Sequence, residues 1–387
     1  MQISYYKPMV NFRFVLLPLY KLWVVLGLAP VEEDSVSKIH CNKILSVLRR
    51  RLRHPSGSWL CTAVLISVLY WSESFVMHAS LPSIPLIIYI IMLIIAEVKL
   101  ILIFLICTVT RLKHIRSFIE GLTFVDSLIS VKEVTCSKFI SSFVIVVNVA
   151  LTSGAALSVY QSSIIVSIHV IFQLFIDSVV VLQFVLLVLE LWVRLTTLNE
   201  CLLVEMYHPR PPQLQVAPQP ATSSVRLSHL REVFMALILA AEKLEEHFRF
   251  SLVADIAHAV FGAICSSCEV LIIIDKPDVT GSLPYSKSLR TSMLWLAYHY
   301  FKIVCLALSC AAAKDASRRT GVILHRLPVL SPSLSDEVEA FLRMTSLEVQ
   351  LNFTAAGFIE IDRHFLVSAL AVVFTYLVVI GQSVTDW

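Results

Sequence analysis

Near the C-terminus, Thr375, Val379 and Gln382 recur at i, i+4 and i+7, so on an α-helix they share one face, with Val372 about one turn below. A hydroxyl and an amide on an otherwise apolar helix can hydrogen-bond a hydrated ion without trapping it as a fixed charge would. Periodicity alone favours a plainer role, with Gln382 as the interfacial polar end of a packed helix. A second set, Tyr89, Tyr160, His169, Gln173, Trp295, Tyr298 and His299, combines aromatic surface with a few hydrogen-bonding groups, the lining a small organic molecule uses. The same residues have a bland reading: Tyr160 and Trp295 stand where interfacial aromatic belts occur, and a neighbouring helix could satisfy His169 and His299. Asp177, Glu190, Asp255 and Glu269 lie in apolar stretches, where a carboxylate is costly and must face other helices or reach for the interface. They show no paired arrangement of the kind a proton pathway would need. Cys265 and Cys268 form a CxxC on an apolar segment with no second Cys or His pair, so they read as packing residues; no metal and no cofactor is expected.

The elements that carry these residues follow from composition. Of 387 residues 57% are hydrophobic and only 15% charged, and the mean hydropathy is +0.80, so most of the chain belongs in lipid. A net charge of +3 is too small to argue for nucleic acid. No Gly-rich phosphate loop, internal repeat or catalytic constellation points to an enzyme. Seven apolar runs bounded by charge or proline are long enough to cross a bilayer as helices, about Trp59–Met77, Ile84–Val109, Phe139–Tyr160, Ile164–Val193, Phe250–Ile274, Thr291–Ala313 and Phe365–Gln382. Phe14–Pro30 is interrupted by Pro18 and Lys21 and followed by no small-residue cleavage site, so it reads as a short helix at the inner leaflet rather than a signal peptide.

Lysine and arginine set the expected direction. Nine precede the first span, and five, six and six fall between spans 2 and 3, 4 and 5, and 6 and 7, placing 26 of the 31 on one side. Lys276, Lys287 and Arg290 lie on the other side, and Lys99 and Lys302 fall within spans. The positive-inside rule then predicts a cytoplasmic N-terminus and an extracellular C-terminus, opposite to a G-protein-coupled receptor. None of the nine cysteines lies in the loops assigned outside. The sequon Asn352-Phe353-Thr354 falls on the cytoplasmic side and is expected to stay unmodified.

Between spans 4 and 5 a proline-rich stretch, Pro209–Pro220, reads as a mobile loop. Beyond it Leu230, Val233, Phe234, Leu237, Ile238, Ala241, Leu244 and Phe248 keep helical spacing, predicting a helix over Leu227–Phe250 that runs into span 5. Ala313–Leu327 should extend span 6; after a turn at Pro328–Pro332, Ser335 should cap a helix with Asp336 and Glu337 in its first turn and a buried stripe of Val338, Phe341, Leu342 and Thr345. These helices could lie on the membrane, but apolar faces adjoining spans favour a packed cytoplasmic bundle. The expected organisation is residues 1–58 as an N-terminal segment with a pre-span helix, 59–193 as spans 1 to 4, 194–249 as loop and anchor helix, 250–313 as spans 5 and 6, 314–364 as anchor helices, and 365–387 as span 7 with a short tail.

Thr375-Tyr376-Leu377-Val378-Val379-Ile380-Gly381-Gln382 resembles the TYhhhhhQF signature of insect gustatory receptors, where h is hydrophobic; Ser383 stands where the signature ends in Phe. Just upstream, Phe353-Thr354-Ala355-Ala356-Gly357-Phe358-Ile359-Glu360-Ile361-Asp362 is similar to the family's FTACGxFxID-type entry to the last helix, with Ala356 where Cys is common. The resemblance marks Thr375, Tyr376, Gln382, Gly357 and Asp362 as motif residues. It implies an all-α, seven-span, tetrameric, ligand-gated nonselective cation channel in the plasma membrane of chemosensory dendrites. Span 7 would line one pore through Gln382, Val379 or Val378, and Thr375. The expected partners are a small-molecule tastant, permeant cations, the lipid bilayer and further copies of this chain or of other gustatory receptors. Lacking a dense polar cluster suited to a sugar, the outer spans point to bitter or other plant compounds. A seven-span receptor signalling through a partner protein, or a small-molecule transporter, is the alternative. Tyr376, about 100° off the stripe, is expected to pack against a neighbouring helix.

Overall fold

The computed structural model describes residues 16–26, 28, 91, 94–103, 105, 113–129, 135–159, 164–207, 221–275, 289–326, 332–346 and 351–385. The run Trp59–Met77, the Pro209–Pro220 loop, Tyr89 and Tyr160 lie outside these residues. In chain order the elements are α1 (Leu16–Val25), α2 (residues 94–103), α3 (Lys113–Leu128), α4 (Thr135–Val159), α5 (Ile164–Tyr207), α6 (Ala221–Asp275), α7 (Leu289–His325), α8 (Pro332–Ser346), the strands β1 (Thr354–Ala355) and β2 (Ile359–Glu360), and α9 (Arg363–Thr385). Among the described residues the fold is all-α apart from that two-stranded hairpin. Among the described residues, four helices are long and apolar enough to cross a membrane, and they fall within α4, α5, α6 and α7.

Helix α5 is the axis of the bundle. From Ile176 to Leu202 almost every side chain is buried, because α4, α6 and α7 all pack on it. Helix α4 is one-sided instead: Phe139, Phe143, Val146, Val149 and Leu157 face outward, the expected surface against lipid. The predicted continuity of anchor helix and span is present in α6, which runs unbroken from Ala221 to Asp275. All eight residues of the predicted apolar stripe in its first half, from Leu230 to Phe248, are buried, whereas Leu239, off that spacing, is exposed. Helix α7 likewise continues to His325.

These extensions pack together. Phe234 of α6 meets Phe341 of α8 with ring centroids 5.6 Å apart, and Arg231 reaches Glu337 at 3.0 Å. Asn199 of α5 donates to the Ala316 carbonyl of α7 at 2.9 Å and accepts from the Thr320 hydroxyl at 2.8 Å. Helix α3, which the sequence reading passed over as a connection, buries Ile115, Phe118, Leu122 and Val125 and lies along α6. The Arg194 guanidinium binds the α3 carboxylate of Asp126 bidentately at 2.8 and 2.7 Å and Glu190 at 2.7 Å, so two acids share one buried cation. Helix α8 begins at Pro332, a turn before the expected cap at Ser335: proline carries no N–H to leave unsatisfied, and its fixed φ suits the first helical position.

One titration follows from this packing. His247 of α6 is buried, and desolvation together with the nearby His114 lowers its pKa from 6.5 to about 3. Between those values the unfolded chain binds a proton that the folded chain refuses, so stability falls as pH drops below 6.5, by about 1.4 kcal/mol per pH unit. The detergent-solubilised protein should melt earlier at pH 5 than at pH 7.5, and His247→Phe should flatten that difference. An unchanged slope in the variant would assign the acid sensitivity to another group.

Candidate functional site

Two arrangements stand out, one at the entry to α9 and one inside the bundle. The FTAAG stretch forms a tight hairpin: Thr354 pairs with Glu360 and Ala355 with Ile359, and the Phe358 N–H closes the turn on the Ala355 carbonyl at 3.0 Å. Ala356 and Gly357 have φ of 53° and 78°, the two left-handed positions of a type I′ turn. Glycine takes the second at no steric cost, whereas alanine at the first does not. Phe353 sinks its ring against Phe184 of α5, centroids 6.0 Å apart, and the Thr354 hydroxyl donates to Glu245 of α6.

The hairpin leads directly into a cap. Asp362 Oδ1 accepts from the backbone N–H groups of His364 at 2.8 Å and Phe365 at 3.0 Å, the N-cap geometry. Its surroundings push the carboxyl up by desolvation, but those two donors together with Lys314 and His364 outweigh this and hold it below the usual range. Lys314 of α7 also pairs with Glu360, and Arg363 with Asp315 at 2.7 Å. Gly357 thus permits the turn and Asp362 caps α9, while Thr354 ties the hairpin to α6 and Lys314 and Asp315 tie it and the helix start to α7. Asp362→Ala should cost about 1 kcal/mol, read as a lower melting temperature of the purified protein; Asp362→Asn should retain most of the stability.

Helix α9 uses only part of its circumference. Phe365, Ala369 and Val373 are buried at four-residue spacing, with Val373 set against Ala263, Ile264 and Cys268 of α6. Val372, Phe374, Thr375, Tyr376, Val378, Val379 and Gln382 are exposed in the single chain. Tyr376 is about half exposed in the single chain, about 60° around the helix from buried Val373.

Inside the bundle the acids meet cations and hydroxyls of neighbouring helices. Asp177 of α5 accepts from Tyr298 Oη at 2.6 Å and Lys302 Nζ at 2.5 Å, both on α7, and meets Lys99 Nζ of α2. Lys99 Nζ also lies 2.5 Å from Asp255 Oδ1 of α6. The His258 ring of α6 stands 3.8 Å from Asp177. All six side chains are buried, and the two ammonium groups balance the two carboxylates. Asp177 and Asp255 are thus joined through Lys99. Glu190 pairs with Arg194, and Glu269 accepts from Ser292 at 3.0 Å, so all four acids face protein as expected.

The predicted ligand set divides accordingly. Tyr298 is fully buried with its hydroxyl committed to Asp177, and His299 is fully buried with its ring facing His258 at 5.3 Å. Trp295 is partly exposed and donates to the Ser158 hydroxyl of α4 at 3.1 Å. Buried His169 pairs with Glu97 of α2. Gln173 is half-buried one turn further along α5. The structure therefore gathers Trp295, Tyr298 and His299 on one turn of α7 and leaves His169 and Gln173 on α5. Sequence reasoning missed Lys99, Lys302 and His258; the available signal was two lysines and an acid at matching depth in neighbouring spans.

Comparison with known proteins agrees with this architecture. Residues 16–384 match the family model described as 7tm Chemosensory receptor. Two curated relatives from Drosophila melanogaster are similar over shorter stretches. The gustatory and pheromone receptor 32a is 28% identical over 123 residues, 32% of this chain and 26% of that protein. The gustatory receptor for sugar taste 43a is 30% identical over 96 residues, 24% of this chain and 22% of that protein. The chain thus aligns with about a quarter of the length of these relatives. The solved structure of the insect olfactory receptor OR5 from Machilis hrabei in complex with eugenol superposes with a TM-score of 0.66 at 12% identity, over 95% of this chain and 96% of that one. The same receptor, solved as a separate structure, gives 0.65 at 12% identity over 94% and 97%. An all-helical membrane bundle with this fold, matched to the family along nearly its whole length, belongs to the 7tm chemosensory receptor family, which comprises receptors and not enzymes.

Proposed function

We propose that the chain is a subunit of a tetrameric, tastant-gated, nonselective cation channel in the dendritic membrane of chemosensory neurons, opened by bitter or other plant-derived small molecules. The observation that carries this reading is the exposed polar face of α9. A helix facing only lipid has no use for Thr375, Tyr376 and Gln382 on its exposed side. Copies of α9 set around an axis would bring Gln382 and Thr375 to water and leave Val378 or Val379 to close the path by dewetting. The N-terminus lies in the cytoplasm and the C-terminus outside, following the distribution of Lys and Arg. The charged extensions of α5, α6 and α7, with α8, then form a cytoplasmic anchor between subunits. Tastant sits toward the outer ends of the spans, near Trp295 and Gln173. The eugenol complex of OR5 supports a small organic ligand in this fold.

Recording from cells that express the protein alone, under a panel of caffeine, denatonium, sucrose and eugenol, tests the reading. A current that survives G-protein blockade is expected, and Gln382→Ala should lose most of it at unchanged surface density. A response abolished by that blockade would favour signalling through a partner, and stoichiometric uptake without current would favour a transporter. An N-terminal epitope tag accessible on intact cells would overturn the orientation.

A further inference from the structure

Three attachments of helix α6 bear on the ion cluster and on α9. Near the anchor, Glu245 accepts from Thr354 of the hairpin that starts α9. Further on, Asp255 enters the buried ion cluster through Lys99. Beyond that, Ala263, Ile264 and Cys268 pack on Val373, with Leu377 alongside. Between the last two, Gly262 lies against the ring of His299, on the α7 turn that also carries Trp295 and Tyr298. Tyr298 and Lys302 both bind Asp177, and Lys99 joins Asp177 to Asp255. A displacement of the α7 turn therefore strains contacts that end on α6, and α6 holds α9 at two levels.

We infer that Lys99, Asp177, Asp255 and Lys302 are positioning residues that transmit movement of the Trp295–His299 turn to α9 through α6. The inference rests on the proposed channel reading for what movement of α9 accomplishes. The buried charges suit this role because each ammonium bridges separate helices, and a cluster balanced at zero net charge tolerates rearrangement but not loss of one member. Coupling of this kind requires an element with two arrangements that both sites bias, and that part falls, on this inference, to the α6–α9 contact.

The full chain carrying Val379→Cys, expressed in cells, reports the exposure of α9 through its rate of modification by the membrane-impermeant thiol reagent MTSET, corrected for the same chain without that substitution. Sodium current is recorded in parallel. Lys99→Met and Asp255→Asn should each change the modification rate per surface molecule by about tenfold. The double variant Lys99→Met/Asp255→Asn leaves Asp177 neutralised by Lys302, so it should reach the surface even where the single variants do not. It still lacks the link from α2 to α6, and its rate should depart from wild type by less than the product of the single effects. Wild-type rates in every variant that reaches the surface would overturn the inference. So would failure of all of them to reach it, Asp255→Glu included, since the cluster would then serve folding alone. Shifted rates in a chain that passes no sodium current would sink the channel reading and leave the positioning role standing; current with unshifted rates would do the reverse.

Discussion

Asp177→Ala is expected to remove most of the protein from the cell surface. The substitution strips two ammonium groups, Lys99 and Lys302, of a shared counter-ion and deprives the Tyr298 hydroxyl of its acceptor, all within the apolar bundle. Breaking a buried pair by removing one partner costs about 3–5 kcal/mol, a large part of the stability of an ordinary domain. Asp255 remains to hold Lys99, so the uncompensated charge falls on Lys302. That assignment gives the prediction a second arm: Asp177→Ala/Lys302→Met removes the stranded charge as well and should recover much of the surface density, despite being the more heavily substituted chain. Surface biotinylation and the melting temperature in detergent measure both. If Asp177→Ala matched wild type in each, the ion cluster would not be holding the helices together.

The parts of this fold that could be read in the sequence are those where a single helix declares its own buried face. Eight apolar residues between Leu230 and Phe248 keep helical spacing and so determine one face of α6, and the structure buries all eight. Helix α3 was equally legible, since Ile115, Phe118, Leu122 and Val125 repeat at helical intervals. It was passed over because polar residues on its other faces keep it below the hydropathy of a span. The α8 start shifted by a turn because serine and proline both signal a helix entry, and here proline prevailed.

The ion cluster was harder to see for a different reason. Periodicity places a residue on a face but says nothing about which helix that face will meet, and Lys99 precedes Asp177 by 78 positions and Asp255 by 156. Only matching of depth across antiparallel spans links them, with the physical premise that a charge in mid-span must find its opposite. The same limit applies at α9. Its motif could be recognised by its letters, yet the work of those letters, a left-handed turn at Gly357 and a cap at Asp362, emerges only with backbone angles and donor positions.

Gly262 shows how one missing side chain sets the spacing of two spans. A Cβ built there would lie 2.2 Å from His299 Cε1 and 2.3 Å from Nε2, well inside van der Waals contact. The ring cannot readily retreat, because it is fully buried, with Trp295 at 6.0 Å and His258 at 5.3 Å between centroids. Small residues that let backbones approach closely are the usual means of joining helices in lipid, where no hydrophobic force draws them together. Gly262→Leu must therefore force α6 and α7 apart, with an overpacking cost at or above the upper end of about 1–3 kcal/mol. The variant should melt well below wild type and reach the surface poorly. His299→Ala opens the space the new side chain needs, so Gly262→Leu/His299→Ala should melt higher than Gly262→Leu alone, a gain that His299→Ala cannot produce by itself in the wild-type background. If the two substitutions instead add without recovery, the His299 ring is not what sets the spacing of α6 against α7.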